Sequence, residues 1–223
     1  MNRLDHLVIA AETLQQGVDY IRKTMAVEIP QGGLHQSMAT HNHLMQLGNN
    51  TYIEVIATNP NATPPDRPRW FNLDDAMMRE SLHRQPRLIC WVINTPDLNT
   101  TINESMLQIG NPTEFSRDNL SWQIALPDDG RLLANGLVPY VIQWDTEQHP
   151  SNAMADPGCR LLSLDIYHNR PDWINSALTS ISADHLVGIH SLADSEPPYL
   201  SASIETPAGI ISLDSKPRDP LIN

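Results

Sequence analysis

Basic residues are scarce in this sequence: 14 Lys and Arg stand against 26 Asp and Glu, for a net charge of −12. A surface this acidic repels phosphate backbones, which excludes a sequence-independent nucleic-acid binder. Only two cysteines are present, Cys90 and Cys159, too few for a disulfide framework; a reducing, cytoplasmic compartment is expected. No apolar run approaches the roughly 18 residues of a bilayer span, and Met1-Asn2-Arg3-Leu4-Asp5-His6 lacks the basic start and apolar stretch of a secretory signal. No membrane partner is expected. Charged residues make up 18% of the chain, too few for a solvated disordered tail. A phosphate-cradling glycine loop, an activated serine constellation and zinc-finger spacing are all missing. The 223 residues therefore describe one large domain or two small ones with a proper core, and the 18 prolines belong in connections.

What is there repeats. Residues 3–11 (RLDHLVIAA) read as a strand, Thr13 and Gln16 as a helix capping box, and Leu14, Val18, Ile21 and Met25 as one apolar helix stripe. The pattern returns 84 residues later. Residues 87–95 (RLICWVINT) form a strand, Thr95-Pro96-Asp97 starts a helix, and Leu98, Ile102, Met106 and Ile109 supply the stripe. Leu4, Val8, Ile9 and Leu14 fall on Leu88, Val92, Ile93 and Leu98 without a gap. A weaker third copy begins with residues 161–168 and continues through Pro171-Asp172-Trp173.

Strands follow each helix. In the first unit Gly32-Gly33 signals a turn, residues 41–47 a strand, and residues 51–58 (TYIEVIAT) a β-branched strand. In the second, residues 120–126 and 139–146 are strands on either side of an Asp128-Asp129-Gly130 turn. In the third, residues 186–191, 199–205 and 210–213 are short strands. The division is thus a strand-helix-three-strand unit at 3–58, a proline-rich connector with a short helix (73–82) at 59–86, a second unit at 87–146, and a third, related unit at 160–213. The joint at 147–158 is polar, and the stretch from 215 is expected to be loose.

Tandem units that open with Leu4-Asp5-His6-Leu7-Val8 and close with Tyr52-Ile53-Glu54-Val55-Ile56 resemble the vicinal oxygen chelate superfamily. The likeness extends to its glyoxalase-like domain proteins through Gly33-x-His35, Thr40-x-Asn42-x-Leu44-x-x-Leu47-Gly48, Tyr52-x-Glu54, and Pro139-Tyr140-Val141-Ile142-Gln143-Trp144. The resemblance implies an α+β fold of tandem βαβββ units forming a cupped, half-open mixed β-barrel with helices outside. It implies a divalent metal in the cup (Zn, Fe, Mn, Ni or Co), held by a His of the first strand and an acid of the last. It also implies a lyase, isomerase or dioxygenase acting on a small oxygen-rich molecule, and pairing of two chains. Chemically, neighbouring substrate oxygens chelate such a metal, which acts as a Lewis acid.

Carried over by position, His6 and Glu54 are the metal ligands of the first unit. Strand parity places His6 with Val8 and Ala10, and Glu54 with Tyr52 and Ile56. The second unit departs: Cys90 stands at the His position and Ile142 at the Glu position, with Gln143 on the opposite face. Three arrangements stay open. His35, from a loop, completes a His6–Glu54–His35 cluster in which Glu54 and His35 are catalytic. Cys90 ligates as a thiolate, favouring zinc. Or the cup is metal-free, a binding or sequestering pocket lined by His6, His35, Asn42 and Glu54. Tyr52, Cys90, Trp144 and Arg69 complete the expected substrate pocket, Arg69 as a clamp on a flexible lid beside Trp70 and Phe71. His41 and His43, two apart with no local acid, are expected on a solvated edge. His185, His190 and Cys159 are expected to be structural.

Overall fold

The computed structural model describes residues 1–117, 119–146 and 149–217. β1 (Arg3–Ala10) leads into α1 (Leu14–Met25). The Thr13 hydroxyl accepts the Gln16 N–H at 3.2 Å to cap the helix, and Gly17, Val18, Ile21 and Met25 form its buried face. Gly17 sets the approach to the sheet, because a Cβ there would stand 2.4 Å from Val55 Cγ1. The helix stops where Ala26 turns left-handed at φ 56°. β2 (Gln31–His35), β3 (Thr40–Gln46) and β4 (Tyr52–Thr58) complete the first unit.

The connector carries α2 (Ala76–Arg84), preceded by a 3-10 turn at Trp70–Asn72, so the helix begins later than the sequence suggests. Its start is fixed by Asp75, whose carboxylate accepts the Met78 N–H at 2.9 Å. The second unit follows as β5 (Arg87–Asn94), α3 (Leu98–Glu104), β6 (Asn111–Arg117), β7 (Leu120–Leu126) and β8 (Tyr140–Trp144).

All eight strands form one sheet in the order β2-β3-β4-β1-β5-β8-β7-β6. β1 runs parallel to β4, antiparallel to β5, and β5 runs parallel to β8. The 84-residue repeat is a rotation about the β1–β5 seam: Leu7 faces Trp91, flanked by His6 opposite Val92 and Val8 opposite Cys90. The sheet curls into a nearly closed barrel with one unsealed seam, where its edges β2 and β6 meet. Period-two alternation separates two cores. Leu7, Ile9, Ile53, Val55, Trp91 and Ile93 pack toward the helices, and Val8, Ala10, Cys90 and Val92 face the concave side. Fully burying each large apolar side chain contributes about 1.5–3 kcal/mol.

β2 and β6 are strands where the sequence suggests loop or nothing. Both lie at sheet edges, where Gly32-Gly33 and Pro112 do little harm because one side of the ladder is unpaired. Residues 160–217 continue as β9 (Arg160–His168), α4 (Pro171–Ser180), β10 (Gly188–Ser191), β11 (Tyr199–Thr206) and β12 (Gly209–Asp214). The elements come in the same order as in the other units, but the strands pair as β10-β9-β11-β12, with β10 parallel and β11 antiparallel to β9. Leu164, Ile166, Leu200, Ala202 and Ile204 of this sheet join the core behind Leu7 and Trp91. Residues 147–148 of the polar joint and 218–223 of the tail lie outside the described residues. Among the described residues no helix is long and apolar enough to cross a membrane.

Candidate functional site

The cup lies on the concave face of the sheet, with β1, β3 and β4 supplying its ionisable row and β7 and β8 facing them across it. β1 delivers two adjacent side chains to it. A register shift between Leu4 and His6 leaves Asp5 as an extra residue in the ladder. Such a bulge breaks strict alternation, so Asp5 and His6 come to the same neighbourhood. Asp5 Oδ1 lies 2.6 Å from His6 Nδ1, and its other oxygen accepts from Trp144 Nε1 at 2.8 Å and approaches His149 Nε2 at 3.0 Å. On the far side of the ring, His6 Nε2 faces Glu54 Oε2 at 3.6 Å. Asn42 Nδ2 donates to Glu54 Oε1 at 2.6 Å, while its Oδ1 accepts from the Gly33 N–H at 2.7 Å. Gly32 leaves room for that amide, since a Cβ there would sit 2.3 Å from Asn42 Oδ1. Tyr52 stacks on His6, with ring centroids 4.6 Å apart and planes 17° apart.

These contacts set the charges. Burial opposes an imidazolium at His6, but hydrogen bonds to Asp5 and Glu54 outweigh it and raise the ring from 6.5 to about 9. Burial likewise disfavours the Asp5 carboxylate, yet hydrogen bonds to His149 and His6 hold it far below the usual range. Glu54 is lowered in the same sense: burial is overcome by the His6 contact first, then by the His6 charge, with the Asn42 hydrogen bond adding to both. His35 goes the other way, pushed down to about 4 by burial, and is neutral. At neutral pH the row reads carboxylate, imidazolium, carboxylate, beside an uncharged imidazole.

The row opens onto a small cavity lined also by His35, Asn42, Tyr52, Trp70, Trp122 and Trp144. His35 is not on a loop but ends β2, its Nδ1 3.2 Å from Thr40 Oγ1 and its edge toward Trp70 at 4.9 Å. Thus His6, His35, Asn42, Tyr52, Glu54 and Trp144 come together. Two expected pocket residues do not join them. Cys90 is fully buried in the concave core and absent from the cavity wall. Arg69 pairs with Asp74 at 2.5 Å and borders a separate hollow with Asn59 and Pro64. Its neighbours Trp70 and Phe71 do reach the cup. His41 and His43 alternate with Asn42 and so occupy the opposite face of β3. Gln143, also turned away, accepts the Leu98 N–H at 2.7 Å at the start of α3. The sequence reading missed Asp5, His149 and Arg117, which also lines the cavity. The tight Gly32-Gly33 pair opposite β6 was the signal available for Arg117.

The metal implied by the resemblance is tested by the donors present. Of the four ligand positions the resemblance implies, only those of His6 and Glu54 carry an imidazole or a carboxylate. Burial pushes the Cys90 thiol well up, which keeps it protonated, and Ile142 has no donor atom. Among the described residues no three His, Cys, Asp or Glu side chains gather to hold an ion. The donor set does not fit the four-ligand divalent site.

Two βαβββ units joined through their first strands around one shared hollow define a class of cup-shaped proteins. The glyoxalase-like domain family matches residues 4–181, and this chain belongs to that family, within the vicinal oxygen chelate fold. Among solved structures, a hypothetical protein from Staphylococcus aureus is similar at 15% identity and a TM-score of 0.57, over 81% of this chain and 75% of that one. Methylmalonyl-CoA epimerase from Mycobacterium tuberculosis aligns at 15% identity and a TM-score of 0.42, over 67% of this chain and 91% of that one. At such identities the likeness is one of fold. No curated protein matches the chain.

Proposed function

We propose that this protein binds a small oxygen-rich organic molecule in the cup and moves a proton on it through His6 and Glu54, as a lyase or isomerase that does not depend on a divalent metal. The observation that carries the reading is the buried Asp5–His6–Glu54 row facing the cavity. Neighbouring groups held in opposite protonation states are an acid and a base ready for use. Asp5 orients the ring and keeps it charged. A substrate oxygen entering beside His6 takes a hydrogen bond from Nε2–H, which stabilises negative charge developing on that oxygen. Asn42 fixes Glu54 through Oε1, leaving Oε2 to accept a proton from the adjacent carbon or hydroxyl. Indole walls exclude water, which strengthens each of these interactions. Such proton transfer is typically worth about 10²–10⁴ in rate. A cytoplasmic location and pairing of two chains go with this reading as proposals, the second checked by sedimentation.

Deuterium exchange tests it. The protein in D₂O with chelator is offered small 2-oxo and 2-hydroxy carbonyl compounds, and C–H loss is followed by NMR. Exchange by the parent, lost in Glu54→Gln while the compound still binds, is the expected result. Exchange that appears only after a divalent ion is added overturns the metal-free reading. Binding without exchange in any arm leaves a metal-free sequestering pocket.

A further inference from the structure

We infer that Arg117 makes the cup a site for an organic anion, a small flat-bodied carboxylate whose charged group it receives at the seam; this rests on the cup being the ligand site. Arg117 ends β6, the edge strand of the second unit, and lines the same cavity as His6 and Glu54. Its side chain crosses to the first unit and lies on the bare backbone of Gly33: a Cβ on that glycine would stand 2.5 Å from Arg117 Cδ, 2.9 Å from Nε and 3.0 Å from Nη1. The two glycines thus clear a track for the guanidinium as well as for Asn42.

What the guanidinium lacks is an anion. Its one hydrogen bond among the described residues is a long one, Nη1 to Asn42 Oδ1 at 3.4 Å, to an oxygen already held by Gly33 N–H. Among the described residues no Asp or Glu oxygen lies within 4.0 Å of it. Arg22, Arg69, Arg84, Arg131 and Arg160 all have such partners. Among the described residues several arginines have no acid partner, and Arg117 is the one of them that lines the cup. Its charge works inward, opposing protonation of His35. A planar fork of donors is matched bidentately by a carboxylate. The Trp70 indole N–H, on a residue of the same wall, is buried with no partner among the described residues. The flat faces of Trp122 and Trp144 suit a planar body. Against a net charge of −12, this local cation favours entry of an anionic ligand.

Tryptophan fluorescence supplies the test, since Trp70, Trp122 and Trp144 border the cup. The probes are benzoate and benzoylformate, each with its uncharged amide, titrated into the full chain, Arg117→Gln and Arg117→Lys. The expected result is saturable quenching by both acids, at least about tenfold weaker for the amides and about tenfold to a hundredfold weaker for the acids in Arg117→Gln. Arg117→Lys, which keeps charge without the fork, falls between. Equal affinity for acid and amide in the parent overturns the inference and leaves the cup as a ligand site. So does acid binding that is unchanged in a folded Arg117→Gln. No saturable quenching by any of the four probes overturns both this inference and the reading it rests on. The acid-to-amide ratio in the parent decides even if the variants fold poorly.

Discussion

Asp5→Asn removes one charge from the cup and almost no volume, so its effects isolate the electrostatics of the row. In the parent, burial costs the His6 imidazolium, and the Asp5 hydrogen bond is the largest influence opposing that cost, ahead of Glu54. A ring raised from 6.5 to about 9 carries roughly 3 kcal/mol of differential interaction, at about 1.4 kcal/mol per pH unit. Because His6 binds its proton more tightly folded than unfolded, this contribution is complete below pH 6.5 and is lost as the pH climbs through 9. Asp5 runs the opposite way. Held below its ordinary 3.8, it stabilises the fold above that value and fails only in strong acid. Urea unfolding at several pH values from 6 to 10, paired with NMR of the His6 ring nitrogens, reads both. The parent should lose more stability than the variant across that range, by the share of the shift that Asp5 rather than Glu54 supplies. At pH 7 the variant should be about 3–5 kcal/mol less stable, since a buried imidazolium has lost its closer partner. A His6 that titrates near 6.5 in the parent, or a pH slope identical in both proteins, refutes the reasoning.

Other consequences are simpler to read. Gly32→Ala drives a methyl against Asn42 Oδ1 and should cost about 1–3 kcal/mol in thermal or urea unfolding, with Glu54 losing its fixed partner. Unchanged stability would mean that Asn42 moves aside freely. Trp91→Ala empties the centre of the β1–β5 seam and breaks the hydrogen bond to Leu137 O, so a loss of about 3–5 kcal/mol is expected by denaturation. Cys90 and Cys159, both buried, should resist a thiol reagent in the native protein and react fully in urea; prompt native reaction would place one of them at the surface.

The duplication was legible because it is written in apolar periodicity. The uninterrupted match of Leu4, Val8 and Ile9 to Leu88, Val92 and Ile93 corresponds to the rotation that sets Leu7 against Trp91, and residues 120–126 bound β7 as read. The edge strands were not legible, because β2 and β6 bury little and show no core alternation. Half of the site was legible through the family resemblance, which carried His6 and Glu54 over by position, and strand parity agreed with it. Asp5 was hidden by the same rule: alternation sends neighbours to opposite faces, and only the bulge reverses that. Arg117 and His149 reach the cup by curvature and by a connecting segment, which no local pattern encodes. Nor does element order dictate pairing, as the strand order β10-β9-β11-β12 makes plain.

The covalent join between the two βαβββ units has a consequence for how such a protein can change. In a ring closed by two identical subunits, every substitution is made twice, and losing a polar group from one wall removes it from both. Here Cys90 and Ile142 occupy the places that mirror His6 and Glu54, so the first half carries the acid–base pair while the second contributes Arg117 and indole wall. A single gene that spells both walls is free to specialise them separately, and lopsided chemistry is what that freedom makes possible.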